Sequence, residues 1–408
     1  MSMLNQTSNF FRLYRYICGE SEVPDIYHFW CGVSLLAAAV EDRVWYQKFK
    51  HEKLFPNLFI LLVGPSGLGK GTAIGHMVRL ANNSISINKY RGRITGPHLI
   101  DHLGKASTDD WGRRIISNPK LWLIMDELQN DVSGNKSMIE DFIYLMTELY
   151  TASDYTVQTG TRTHGQINIQ NPLINWFAGT TEDDLREILT FRLLRSGFTA
   201  RTCFCFGEYD FDLRMPRIKY PEDYDEVFQH LCCRLWAMQQ TTGVFMVTES
   251  AEAEIDRWYI KRPKPEEELL YSAWKRHHDL LLKFAMILCL GDGGPMVIQH
   301  RHVVQGKNMV GKVFQASEKL IASASETYET KPSNEVARYI KRHKVAHHTP
   351  ASRYFRSMRG MNAKTFRSAV NDLASGGVIR VGKTSTGGIF YSWIEEIKEI
   401  KEGRNVKV

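Results

Sequence analysis

Residues 64 to 72 read Gly-Pro-Ser-Gly-Leu-Gly-Lys-Gly-Thr and stand directly behind the apolar run from Leu58 to Val63. Strand, glycine loop and helix start is the order that builds a polyphosphate cradle. Gly64, Pro65, Ser66, Gly67, Leu68 and Gly69 let successive backbone N–H groups turn inward on an anion, and the helix opening at Lys70 adds its positive dipole end. Lys70 can reach the β and γ phosphates, so the expected ligand is ATP with Mg2+. Gly71 occupies the position where a hydroxyl residue is usual. The hydroxyl comes one residue later, at Thr72, which makes Thr72 a less direct magnesium ligand than Lys70 is a phosphate ligand.

A second group of residues could complete that chemistry. The apolar run from Leu121 to Met125 ends in Asp126 and Glu127, 56 residues beyond Lys70. A carboxylate there can hold magnesium through water, and the next one can polarise the water that attacks the γ phosphate. The run from Leu173 to Gly179 ends in Thr180 and Thr181. Thr180 is expected to sense the γ phosphate from a central strand between the two phosphate-site strands, and Thr181 suits an N-cap for the helix that follows. Beyond it, Arg192, Arg195 and Arg201 precede another strand. Arg201 is the first candidate for a finger or sensor arginine and Arg195 the second, because a guanidinium stabilises charge on a transferred phosphoryl group.

The elements that must position these residues form an α/β pattern. Strands are expected at Leu58–Val63, Ser84–Asn88, Leu121–Met125, Leu173–Ala178 and Cys203–Phe206, with a helix from Ser137 to Thr151. Tyr155–Thr161 and Gln166–Ile169 alternate around a turn and read as a β-hairpin, whose Arg162 and His164 could follow a DNA backbone. Residues 1–55 read as an N-terminal helical segment, 56–246 as the nucleotide-binding core, 247–328 as a helical lid or bundle, and 329–408 as a small terminal domain. A polar linker is expected at Glu326–Ser333.

Composition narrows the class. The 408 residues are 43% hydrophobic and 24% charged, ordinary for a globular protein. Seven cysteines without C-x-x-C or zinc spacing, and no signal peptide, lead to a cytoplasmic expectation. The run from Ile26 to Val40 is too short and too polar to span a bilayer and reads as a buried helix. Net charge is +7, but residues 331–408 hold 16 Lys/Arg against 6 Asp/Glu, whereas the rest hold 36 against 39. The whole positive excess lies in the last fifth of the chain, which suggests DNA as partner.

That terminal stretch predicts helices at Ser333–Arg342, Pro350–Met358 and Ala363–Ser375, the last capped by Asn362. Two strands follow, Val378–Val381 and Ile389–Trp393. Three helices and a two-stranded wing make a winged helix. Its third helix would turn Lys364, Thr365 and Arg367 outward, with Lys383 on the wing meeting phosphates; docking on protein is the other reading.

With these pieces in order, the chain resembles the ATPase half of phage- and plasmid-borne primase–helicase proteins, a family of P-loop ATPases. The resemblance covers residues 20 to 325. It rests on Val23-Pro-Asp-Ile-Tyr-His-Phe-Trp, Pro56-Asn57, Gly64–Thr72, Asp126-Glu127, the hairpin and Ser196–Arg201. It implies a P-loop core with an additional central strand and an oligomeric, hexameric, DNA-dependent ATPase of replication, with a primase or other replication protein as partner. There is no room for a primase module in this chain. A helicase, a helicase loader, a regulatory DNA-binding ATPase and a nucleoside monophosphate kinase are the alternatives.

Overall fold

The computed structural model describes residues 3–108, 112, 114–132, 136–150, 156–161, 165–190, 193–194, 196–210, 215, 217–329, 332–359, 361–385 and 387–394. The chain divides into two compact units, Met1–Leu320 and Ile321–Val408.

The first unit opens with helices α1 (Phe10–Ile17) and α2 (Asp25–Val40), strands β1 (Val44–Phe49) and β2 (Glu52–Leu54), then β3 (Phe59–Val63) and α3 (Lys70–Ser84). There follow β4 (Lys89–Arg91), α4 (Gly96–Leu103), β5 (Ser107–Thr108), β6 (Arg114–Ser117), β7 (Lys120–Met125), α5 (Leu128–Asp131) and α6 (Lys136–Leu149). Next come β8 (Thr156–Thr161), β9 (Gly165–Gln170), β10 (Leu173–Thr180), α7 (Glu182–Ile188) and β11 (Thr202–Phe206). The unit goes on through α8 (Tyr224–Gln240), β12 (Gly243–Val244), β13 (Met246–Val247), α9 (Glu249–Lys261), α10 (Tyr271–Asp292) and β14 (Val297–Ile298) to α11 (His300–Glu329), whose residues from Ile321 onward belong to the second unit.

The central sheet has five strands in the order β11-β3-β10-β7-β4, and every pairing in it is parallel. Its inner strands β3 and β10 are buried along their whole length, as continuous apolar runs in a sheet covered on both faces must be. Each crossover contains a helix, the usual connection between parallel strands, and those from β4 to β7 and from β7 to β10 also carry the strands β5, β6, β8 and β9. β8 and β9 pair antiparallel, as the alternation of their residues predicts, and join β6 and β5 in a separate four-stranded sheet.

One hydrophobic cluster runs from Phe10 to Val313 and takes in residues of α1, α2, the sheet, α8, α10 and α11. The run read as a buried helix is α2, with Tyr27, Trp30, Val33, Leu35 and Leu36 inside that cluster. Each such side chain contributes about 1.5–3 kcal/mol relative to exposure. Among the described residues no helix is long and apolar enough to cross a membrane.

Three expectations are corrected. Ser84–Asn88 is not a strand: α3 continues to Ser84 because Leu80 and Ala81 still face the core, and the ladder with β7 starts only at Lys89 opposite Trp122. The region after 247 is not wholly helical, since β13 and β14 pair across it. Glu326–Glu329 belongs to α11 rather than to a linker. Polar composition does not stop a helix when no glycine or proline interrupts it, and Pro332 instead takes the first position of the next helix.

The second unit contains α12 (Pro332–His343), β15 (Val345–His347), α13 (His348–Arg359), α14 (Ala363–Ser375), β16 (Ile379–Lys383) and β17 (Ile389–Trp393). β17 pairs antiparallel with both β15 and β16. Its own core holds Val336, Ile340, Phe355, Phe366, Val370, Leu373 and Tyr391. Asn362 caps α14, accepting from the Thr365 N–H at 2.8 Å.

Just before the amino end of β3, the buried Lys283 of α10 donates to the Asn57 carbonyl at 2.7 Å and to its side-chain oxygen at 2.8 Å, and lies 3.1 Å from the Tyr150 hydroxyl. Burial pushes its ammonium down to about 7 from 10.5, against the pull of Asp279. Folded protein therefore binds fewer protons than unfolded across that interval, and the lysine's contribution to stability rises with pH through it. Wild type is expected to gain stability relative to Lys283→Met between about pH 7 and about pH 9. Denaturant midpoints that keep a constant difference across that range would show the amine to stay protonated in the folded protein.

Candidate functional site

Strand order brings the site together. β10 lies between β3 and β7, with Thr180 opposite Val63 and Ala178 opposite Met125. The carboxyl ends of three parallel strands thus run out side by side, into the glycine loop, into Thr180, and into Asp126 and Glu127. Ligands in open parallel sheets bind at this edge.

The loop has the backbone that its glycines permit. Gly69 sits just before α3 in the left-handed region, φ 82°, where a side chain would be strained. Gly179, next to Thr180, is needed for a different reason: a Cβ there would lie 2.4 Å from the Asp126 carbonyl oxygen. Close approach of β10 to the end of β7 depends on its absence.

Lys70, the first residue of α3, is buried, and its ammonium donates to the carbonyls of Gly64 at 2.6 Å and Pro65 at 2.8 Å. Burial lowers its pKa, with the charges of Glu127 and Asp184 opposing. A buried cation held only by loop carbonyls suits a polyphosphate, whose oxygens are better partners. Thr72 is half-buried in the first turn of α3, and Gly71 beside it is exposed.

Asp126 is not free. Arg91, at the end of β4, donates from Nε at 3.0 Å and from Nη2 at 2.8 Å to its two carboxylate oxygens. Any cation held by Asp126 must share it with this guanidinium or displace it. Glu127 is exposed; the Asn130 amide donates to its carboxylate, and its own N–H donates to Asp131 at 3.1 Å. Thr180 is buried, its hydroxyl donating to the Thr181 carbonyl at 3.2 Å. Thr181 takes the cap of α7, accepting from the Asp184 N–H at 3.1 Å.

Arg201 is not brought to the glycine loop. It precedes β11, whose Thr202 is opposite Phe59, so it stands at the amino end of the sheet and a full strand length from Gly64. A sensor role within its own site is thereby removed. Its Nη1 donates to the Gly197 carbonyl at 3.0 Å and its Nε has no partner; burial, then the neighbouring Arg276, pushes it down to about 10. Arg201, Arg276 and Lys283 line one cavity with Asn57, Tyr150 and Asp279. Arg195, Arg162 and His164 lie outside the described residues.

In the second unit Lys364 and Arg367 are exposed on α14 and Lys383 is exposed at the end of β16. Thr365 is half-buried, and its hydroxyl donates to the capping Asn362 side chain at 3.0 Å, so it serves the helix end first.

Several contacts at the loop carry no signal in the sequence, although Val23 and Tyr27 stand in a motif quoted for the resemblance. The Tyr27 hydroxyl donates to the Val63 carbonyl at 2.8 Å, Tyr209 reaches the Ser66 carbonyl at 2.6 Å, and the Val23 side chain covers Gly69. Tyr27 is hidden within an apolar run, and Arg91 in a three-residue strand carries no local signal. Neither a scan of protein-family models nor a search of curated proteins returns a match to this chain.

Proposed function

We propose that the chain is a DNA-dependent ATPase of the P-loop class, ring-forming and most similar in design to mobile-element replicative helicases or translocases. The observation that carries the reading is the position of β10, which sets Lys70, Thr180, Asp126 and Glu127 along one strand edge. Lys70 and the loop N–H groups bind the phosphates. Thr180 orients the water, and Glu127, with Asn130 on its carboxylate, takes that water's proton. Asp126 and Thr72 would hold magnesium, which when bound neutralises charge on the polyphosphate.

Arg201 supports assembly into a ring. It is a guanidinium at the far edge of the sheet with no carboxylate partner among the described residues, in a cavity that also holds Arg276 and Lys283. Such a group fits a neighbour's γ phosphate.

The second unit supports the DNA partner: three helices and the β16–β17 hairpin have the order of a winged helix, with Lys364, Arg367 and Lys383 exposed. The reading is tested by phosphate release with and without DNA. DNA is expected to stimulate release, while phosphate transfer to a nucleoside monophosphate would point to the kinase reading. Replacing Lys364, Arg367 and Lys383 together by Glu is expected to weaken DNA binding and make its log-log salt slope shallower by roughly two to three. An unchanged slope would reassign the winged unit to protein docking.

A further inference from the structure

Away from the ATP site, three side chains converge where α1, α2 and α3 meet. Cys18 ends α1, His28 lies in the first turn of α2, and His76 lies two turns into α3. Their donor atoms all lie within 4.8 Å of one another. Cys18 and His28 are fully buried.

His28 is the informative member. Neither of its ring nitrogens has a hydrogen-bond partner, although its exposure is 0%. Burying polar atoms without partners costs free energy that a fold seldom leaves uncompensated. The His76 ring stacks nearly parallel to that of His28, 13° between planes and 5.7 Å between centroids. His76 Nδ1 is buried without a partner, while Nε2 lies 3.3 Å from the Tyr220 hydroxyl. With its proton on Nε2 donated to Tyr220, the Nδ1 lone pair is left free. A second group that fixes the tautomer in this way is a regular companion of metal-bound histidine.

We propose that Cys18, His28 and His76 form a zinc site, with water as fourth ligand. One thiolate and two neutral imidazoles suit a borderline-soft cation and offer nothing to Mg2+ or Ca2+, which take oxygen. Binding forms one Zn–S and two Zn–N bonds, and the Cys18 thiol proton leaves to solvent. Zn–S of about 2.3 Å and Zn–N of about 2.0–2.1 Å require donor separations of roughly 3.3–3.7 Å, so the cluster must close by about an ångström. His76, half-buried on α3, has room to make that movement.

The site has a structural consequence. It would fasten the end of α1 and the start of α2 to α3, the helix whose first residue is Lys70, and so hold the glycine loop's helix against the amino-terminal segment.

The full-length chain, stripped with a chelator, is titrated with Zn2+ against a chromophoric competitor, and with Co2+ as spectroscopic probe. One equivalent is expected to bind tightly, Co2+ is expected to give a thiolate charge-transfer band, and Zn2+ is expected to raise the thermal midpoint. Cys18→Ser should abolish the band. His76→Gln, at a half-exposed position that folding tolerates, should weaken Zn2+ binding by at least about 10–100-fold, the cost of losing even an outer-shell partner. His98→Gln with His102→Gln removes a histidine pair on α4, His98 exposed and His102 half-buried, and should leave Zn2+ binding unchanged. Absence of a band in folded wild type, or equal binding by wild type and His76→Gln, overturns the proposal, as does loss of binding in the His98/His102 variant.

Discussion

Lys70→Ala is expected to lower ATP turnover by at least about 10²-fold and to weaken nucleotide binding, whereas Glu127→Gln should retain binding and lose turnover by about 10²–10⁴-fold. The two substitutions act on different partners. Lys70 touches the glycine loop carbonyls and, in the proposed complex, exchanges them for phosphate oxygens, which are present in ground and transition states alike. Glu127 is exposed beside Asn130 and reaches Lys70 through its charge alone, so its removal is expected to change nucleotide binding far less than turnover. Equilibrium binding of a fluorescent ATP analogue, measured beside steady-state phosphate release, separates the two. Equal loss of affinity in both variants would show that Glu127 does not act on water.

Arg201→Ala should lose about 10³–10⁵-fold in turnover at saturating ATP with nucleotide affinity little changed, the scale on which an arginine finger acts. Because Arg201 lies a strand length from its own glycine loop, in the proposed ring that loss is expected in a neighbouring subunit. Mixing Arg201→Ala with Lys70→Ala protein is therefore expected to restore activity, since each variant supplies what the other lacks across a shared interface. At equal amounts and random assembly, roughly a quarter of the interfaces would carry both groups. Arg201→Lys serves as the folding control for this half-buried guanidinium. No recovery at any mixing ratio, with co-assembly verified by sedimentation, would assign Arg201 a purely structural role in its cavity.

Arg91 changes how the acidic end of β7 is read. From sequence, only the order of the two residues places Asp126 for the metal and Glu127 for the water. In the structure they differ: Asp126 carries a bidentate guanidinium, and Glu127 is exposed with an amide at its carboxylate. That difference in partners, rather than their order, separates the two proposed roles.

What the sequence by itself determined is what short-range chemistry controls. The strand, glycine loop and helix at Leu58–Ser84 are written in an apolar run, in residues free to take positive φ, and in a helix start. The Asn362 and Thr181 caps, the buried helix α2 and the β8–β9 hairpin follow from equally local rules. The tertiary structure decided everything that depends on which distant segments become neighbours. Placement of β10 between β3 and β7, the seating of Arg91 on Asp126, the displacement of Arg201 to the opposite edge, and the meeting of Cys18, His28 and His76 all join residues far apart in the chain. Residue spacing carries no signal for these contacts, because strand order and helix packing are set by how buried faces fill one shared core, a property of the whole chain rather than of any stretch of it.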